Sequence, residues 1–163
     1  MAQQKTVLWE VDAQADFMLP GGKLYASGAE KIIPHIARLI RTGTETGTLI
    51  VSSGDAHAQN DPEFQKFPPH CIAGSPGAQI IPEGLAKGFR AVPNDSSREL
   101  PNDVLNSPQL ILEKQTLDVF DNPKASALVE LLPSDTEYIL FGVVTEYCVR
   151  LAAKGLLDRH RKV

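Results

Sequence analysis

Cys148 is the residue whose chemistry stands out. It closes Thr145-Glu146-Tyr147-Cys148, just after an apolar run and where a helical pattern begins. A helix start presents unpaired N–H groups and a positive dipole end, which favour the thiolate, the reactive form of cysteine. Asp16, in Asp12-Ala13-Gln14-Ala15-Asp16-Phe17, is a carboxylate that could take the thiol proton and return it to a leaving amine. Lys114 ends the apolar run Leu110-Ile111-Leu112-Glu113, where its charge could lower the thiol pKa and keep a carboxylate ionised. Asp55-Ala56-His57 and His70 form a second set that suits zinc, iron or manganese. Asp55 and His57 are two apart, so an extended segment points both to one side. Glu63 is a further ligand or an outer contributor. Taken singly, each has a structural alternative: a small core residue for Cys148, a turn or helix cap for Asp16, a snorkelling strand-end lysine for Lys114.

The elements that must position these residues follow from periodicity. Short apolar runs at 6–11, 48–52, 110–113 and 138–144 alternate with helical patterns, which signals a parallel α/β sheet. Ile32, Ile33, Ile36, Leu39 and Ile40 recur at spacings of three and four, and Gly43 and Gly47 are expected to help end that helix. A second helix is expected around 125–132 and a third from near Cys148, carrying Val149, Leu151, Ala152, Leu156 and Leu157. Residues 55–107 are rich in Pro, Gly, Asn and Asp and show no long element. A connection of that length in a compact domain usually carries function. Polar residues fall after all four runs: Asp12 and Asp16, Asp55 and His57, Lys114, and Thr145 to Cys148. Open parallel sheets bind ligands at that edge.

The whole chain bounds what partners are expected. Its 163 residues fit one domain, and 42% apolar with 22% charged residues argues against disorder. A net charge of −4 argues against a dedicated nucleic-acid binder. The basic run Arg159-His160-Arg161-Lys162 reads as a solvated helix end. Two cysteines are too few for a secreted disulfide scaffold. No apolar stretch approaches the roughly 20 residues of a membrane span, and no signal-peptide pattern opens the chain. A cytoplasmic location, with a free thiol in a reducing medium, is the expectation.

These residues resemble the isochorismatase-like cysteine hydrolases, and within them the nicotinamidases. Asp12-Ala13-Gln14-Ala15-Asp16-Phe17 is similar to the family's Asp-x-Gln-x-Asp-Phe. Glu113-Lys114, followed by Leu117-Asp118-Val119-Phe120, fits its strand-end lysine. Gly142-Val143-Val144-Thr145-Glu146-Tyr147-Cys148-Val149 resembles Gly-x-x-Thr-(Asp/Glu)-x-Cys-Val. Asp55-x-His57 with Phe67-Pro68-Pro69-His70-Cys71-Ile72-x-Gly74 is similar to the nicotinamidase metal motif.

The resemblance implies a three-layer α/β/α fold, with a parallel sheet of order 3-2-1-4 in the part present and the fourth strand as an edge. It implies a triad of Cys148 as nucleophile, Asp16 as base and then acid, and Lys114. It implies a metal on Asp55, His57 and His70, with Glu63 through water, and zinc ahead of iron or manganese. Phe17 and Phe67 would line a slot for a pyridine ring. A cis peptide would precede Val144, whose backbone N–H and that of Cys148 would form the oxyanion hole. The implied reaction converts nicotinamide to nicotinate and ammonia in NAD salvage. Alternatives are another amidase of the family, acting on a ureido, carbamoyl or small-ring amide, and a non-catalytic metal-holding or inactive member. Family members continue beyond the nucleophile helix with further strands and a helix, where this chain stops at Arg161-Lys162-Val163, and they often form homo-oligomers. Cys71 is expected as a packed neighbour of the metal loop.

Overall fold

The computed structural model describes residues 5–163. Its core is a sheet formed by β1 (Thr6–Val11), β2 (Leu49–Asp55), β3 (Arg90–Val92), β4 (Gln109–Lys114) and β5 (Glu137–Gly142). The order is β3-β4-β2-β1-β5 and every named pairing is parallel. The four expected strands keep their order, and β3 adds an outer strand beyond β4. Three residues inside a Pro- and Gly-rich stretch carry too little periodicity to announce themselves. The rest of that stretch is built of short 3₁₀ turns, several opened by proline.

Both sheet faces are covered, giving the three layers. Val7, Trp9 and Val11 of β1 face α3 (Pro123–Leu131) and α4 (Arg150–Asp158), which contribute Ala125, Leu128, Val129, Ala152 and Leu156. Leu8 and Ile50 face α2 (Ile33–Thr46) through Ile36 and Ile40. Alternation along the strands sends successive side chains to opposite layers, so nearly all of β1 and β2 is buried.

Gly47 caps α2 at φ 69°, its N–H bonded to the Gly43 carbonyl. Gly43 has a different role from the one expected. It lies inside α2, where a Cβ would come within 2.8 Å of Leu8 and 3.0 Å of Ile50, so it lets the helix approach the sheet. The basic run is also more than a solvated end. Arg159 stacks 3.9 Å from the Phe120 ring centroid and donates to Ser126, and Arg161 donates to the carbonyls of Val129 and Pro133. The polypeptide then returns to the sheet, where Tyr138 N–H donates to the Lys162 carbonyl at 2.8 Å.

Register decides what meets at the sheet's C-terminal edge. Val11 pairs with Ser53 and Gly142, and Asp55 pairs with Lys114. Asp12, Asp55 and Lys114 therefore end three adjacent strands at one level. The fourth run stops earlier than expected, at Gly142 with φ 126°, and a cis Val143–Val144 peptide follows. Cys148 then sits in a π-helical turn, Thr145–Val149, that leads into α4. Among the described residues, no helix is long and apolar enough to cross a membrane.

Candidate active site and metal centre

Cys148 and Lys114 meet as expected, with Lys114 Nζ 3.7 Å from Cys148 Sγ. The carboxylate that joins them is Asp12, and this corrects the assignment of Asp16. Asp12 Oδ2 lies 3.0 Å from Lys114 Nζ, and the Cys148 thiol donates to the Asp12 carboxylate. Asp12 Oδ1 accepts from Ser53 Oγ at 2.6 Å. Asp16 is engaged elsewhere: Oδ1 accepts from Lys23 N–H at 3.1 Å and Oδ2 from Cys71 N–H at 2.8 Å. The reason is positional. Asp12 directly follows β1 and adopts a left-handed φ of 49° that turns it over the sheet edge. Asp16 is four residues on, in the short helix α1 (Ala15–Met18), and faces the 71–77 loop.

Burial dominates the electrostatics. Lys114 is 1% exposed, yet its pKa lies well above the ordinary value, because Asp12 and Asp55 overcome the cost of burying the charge. Burial raises the Asp12 pKa, with the Asp55 charge adding and Lys114 opposing. Burial also raises the Cys148 thiol, and the Asp12 charge adds to the effect. The resting thiol therefore holds its proton and points it at a carboxylate whose own proton affinity is elevated.

Lys114 links this cluster to a second one, since it is also paired with Asp55 Oδ1. Asp55 Oδ2 lies 3.5 Å from His57 Nε2 and 3.6 Å from His70 Nε2. The donor atoms of Asp55, His57 and His70 all fall within 4.8 Å of one another, as a bound metal requires. The rest of the cluster fits the same use. His57 Nδ1 lies 3.0 Å from Asp61 Oδ2, and His70 Nδ1 2.7 Å from the Pro68 carbonyl. Such contacts fix a histidine so that its Nε2 serves as ligand. Among the described residues His57 Nε2 is buried without a hydrogen-bond partner, and a cation between it, His70 and Asp55 would supply one. Glu63 Oε1 lies 3.9 Å from His70 Nε2, beside the set. The carboxyl of Asp55 is held below the ordinary range against its burial, by the Lys114 charge and the histidine contacts.

A cavity of about 190 Å³ connects the two clusters. Cys148, Val144, Asp55 and His70 line it, with Phe17 and Phe67 on its walls as expected. Phe17 lies 5.4 Å and Phe67 6.4 Å from the His70 ring, centroid to centroid. Sequence reasoning passed over Tyr147, which meets Phe67 edge-on at 6.3 Å, and Leu24, Tyr25 and Leu117. Tyr147 directly precedes Cys148, whereas Leu24, Tyr25 and Leu117 are scattered along the chain and leave no local signal. Cys71 is buried beside the metal loop, as expected.

The fold and the clusters define a parallel α/β protein whose sheet edge joins a thiol–carboxylate–ammonium group to a set of residues that could hold a metal. The isochorismatase domain model matches residues 6–92, and the chain belongs to that family. Solved structures agree. Pyrazinamidase of Pyrococcus horikoshii, solved in complex with zinc, is 28% identical with a TM-score of 0.74, covering 98% of this chain and 82% of that one. N-carbamoylsarcosine amidase of Thermoplasma acidophilum is 23% identical, TM-score 0.72, covering 96% and 78%. Nicotinamidase of Bacillus subtilis is 22% identical, TM-score 0.70, covering 96% and 81%. Among curated proteins no match was found.

Proposed function

We propose that the protein is a nicotinamidase-like amidohydrolase, with Cys148 as nucleophile, Asp12 as proton carrier and Lys114 as the cation that holds Asp12 in place. The observation that carries this reading is one small cavity lined by the thiol and by Asp55 and His70, two of the three residues that could hold a metal. A flat ring amide can span that distance. The 28% identical pyrazinamidase, solved with zinc, supports it. The lining contains no arginine, and the Lys114 ammonium is already paired with two carboxylates. That favours an uncharged amide over a carboxylate-bearing carbamoyl substrate.

Asp55, His57 and His70 would hold a divalent cation, zinc first, and Glu63 would act through water. When bound, the cation supplies a Lewis-acid handle for a ring nitrogen. The aromatic walls of Phe17 and Phe67 orient the ring and present its carboxamide to Cys148. Asp12 takes the thiol proton as sulfur bonds to the amide carbon. The oxyanion is received by the backbone N–H groups of Val144 and Cys148, each worth about 3–4 kcal/mol in comparable sites. The C–N bond breaks as Asp12 returns the proton, and ammonia leaves. Water then attacks the thioester and gives its proton to Asp12. The acid departs, and the thiolate recovers the proton from Asp12.

The test is ammonia release from nicotinamide by purified protein, with zinc, manganese or iron added and again after chelation. Metal-dependent release that disappears in Cys148→Ala is the expected outcome. Full activity in Cys148→Ala would exclude this mechanism.

A further inference from the structure

The segment Asp12-Ala13-Gln14-Ala15-Asp16 places three polar side chains at alternate positions, and the mechanism uses only the first. Gln14 and Asp16 are both buried, and each has a backbone partner on a segment that carries a candidate metal ligand. Gln14 Oε1 accepts from Asp55 N–H at 2.7 Å, and its Nε2 donates to the carbonyls of Asp55 at 2.8 Å and Ala78 at 2.7 Å. Asp16 accepts from the N–H of Cys71, the residue after His70, which holds a left-handed φ of 42°. The same carboxylate accepts from Lys23 N–H, and Asp16 is followed by the cavity wall Phe17.

We infer that Gln14 and Asp16 are positioning residues for the metal centre, one fixing the Asp55 arm and the other the His70 arm. This rests on the metal-site reading given above. The two arms lie on different segments, and His57 N–H and the Cys71 carbonyl share a direct bond at 3.0 Å. Without Asp16, the His70 arm keeps that bond but loses the contact that sets its angle at Cys71. Gly77 is an independent witness. A Cβ there would stand 2.2 Å from Asp16 Oδ2 and 2.3 Å from its Cγ, so the loop leaves room for this carboxylate in this place. Both Asp16 partners are N–H donors, so asparagine could satisfy one of them only.

The experiment removes resident metal from the full chain and titrates it with zinc against a chromophoric chelator. Cobalt absorption then reads the ligand geometry. Asp16→Ala should weaken zinc binding about 10–100-fold, the usual effect of losing a ligand-orienting contact. Asp16→Asn should weaken it less. Gln14→Glu sets a carboxylate against two carbonyls and should weaken it comparably. Gly77→Ala keeps every charge yet displaces the Asp16 carboxylate, so it should reproduce the Asp16→Ala loss and its altered cobalt spectrum. Val129→Ala, buried in the opposite layer, serves as the control for general destabilisation and should leave zinc affinity unchanged. If Asp16→Ala does not fold, Asp16→Asn and Gly77→Ala decide the matter. Zinc affinities within twofold of wild type, an equal loss in Val129→Ala, or a wild-type chain that takes up neither zinc nor cobalt would each overturn the inference. Zinc binding that behaves as expected without nicotinamide turnover would sink the proposed substrate and leave this inference standing.

Discussion

At the scale of single residues, the site turns on which carboxylate shares a proton with Cys148. Asp12 and Asp16 are the same residue type, and geometry separates them. Asp12 touches the thiol and lies 3.0 Å from Lys114, whereas both Asp16 oxygens are taken by backbone N–H groups. Asp12→Asn should therefore lower kcat for nicotinamide by about 10²–10⁴-fold, the range for loss of a general base. Zinc affinity should stay near wild type, because Asp12 is not among the ligand set. Steady-state kinetics beside a zinc titration checks both halves, and an unchanged kcat would refute the assignment. Cys148, Lys114, Asp55 and His57 were legible because each lies at or just after a strand end, whereas the role of His70 and the two phenylalanines came from the family resemblance. The choice between two aspartates four residues apart was not legible. It depends on one left-handed backbone angle at Asp12, which sequence periodicity does not report.

At the scale of elements, the strand ends do the positioning. β5 delivers Cys148 to β1, and Gly142 is where the two meet most closely. Its φ of 126° belongs to glycine, and a Cβ there would fall 2.0 Å from the Val11 carbonyl oxygen. The obstacle is backbone held in a parallel ladder, so relaxation has no flexible side chain to use. Gly142→Ala should cost about 2–4 kcal/mol of stability, combining the unfavourable φ with overpacking. Chemical denaturation measures this, and a loss under 1 kcal/mol would show that the β1–β5 contact is looser than the geometry implies. The four long strands and the helices were readable from apolar runs and three-to-four spacing. The limits of that signal are visible at Gly43 and at β3. Gly43 reads as a helix breaker but serves as a contact surface, and β3 is too short to show alternation.

At the scale of the molecule, one buried group links folding to pH. Glu10 sits on β1 facing the α2 layer and is fully buried. Ser52 Oγ donates to its Oε2 at 2.7 Å, Gln109 Nε2 approaches the same oxygen at 3.4 Å, and Oε1 has no hydrogen-bond partner among the described residues. Burial pushes its pKa from 4.5 up to about 8, with the Ser52 hydrogen bond opposing and the Asp12 charge adding. The folded chain thus keeps a proton that the unfolded chain releases above about pH 4.5. Its contribution to stability is complete below that pH, declines as pH rises, and is exhausted once Glu10 ionises near pH 8. The swing is on the order of a few kcal/mol. Glu10→Gln keeps the shape and cannot ionise, so its unfolding free energy should fall less between pH 5 and about 8 than that of wild type. The variant should be the more stable of the two at the alkaline end. Urea unfolding across that range provides the measurement. Parallel curves for the two proteins would mean that Glu10 is already ionised in the fold, with a cation or water meeting its second oxygen. Divergent curves would identify the polar cluster of Glu10, Ser52 and Gln109 as a source of alkaline sensitivity. That cluster ties β1, β2 and β4 together in the layer opposite α3 and α4, so its ionisation would loosen the strands that carry Asp12, Asp55 and Lys114.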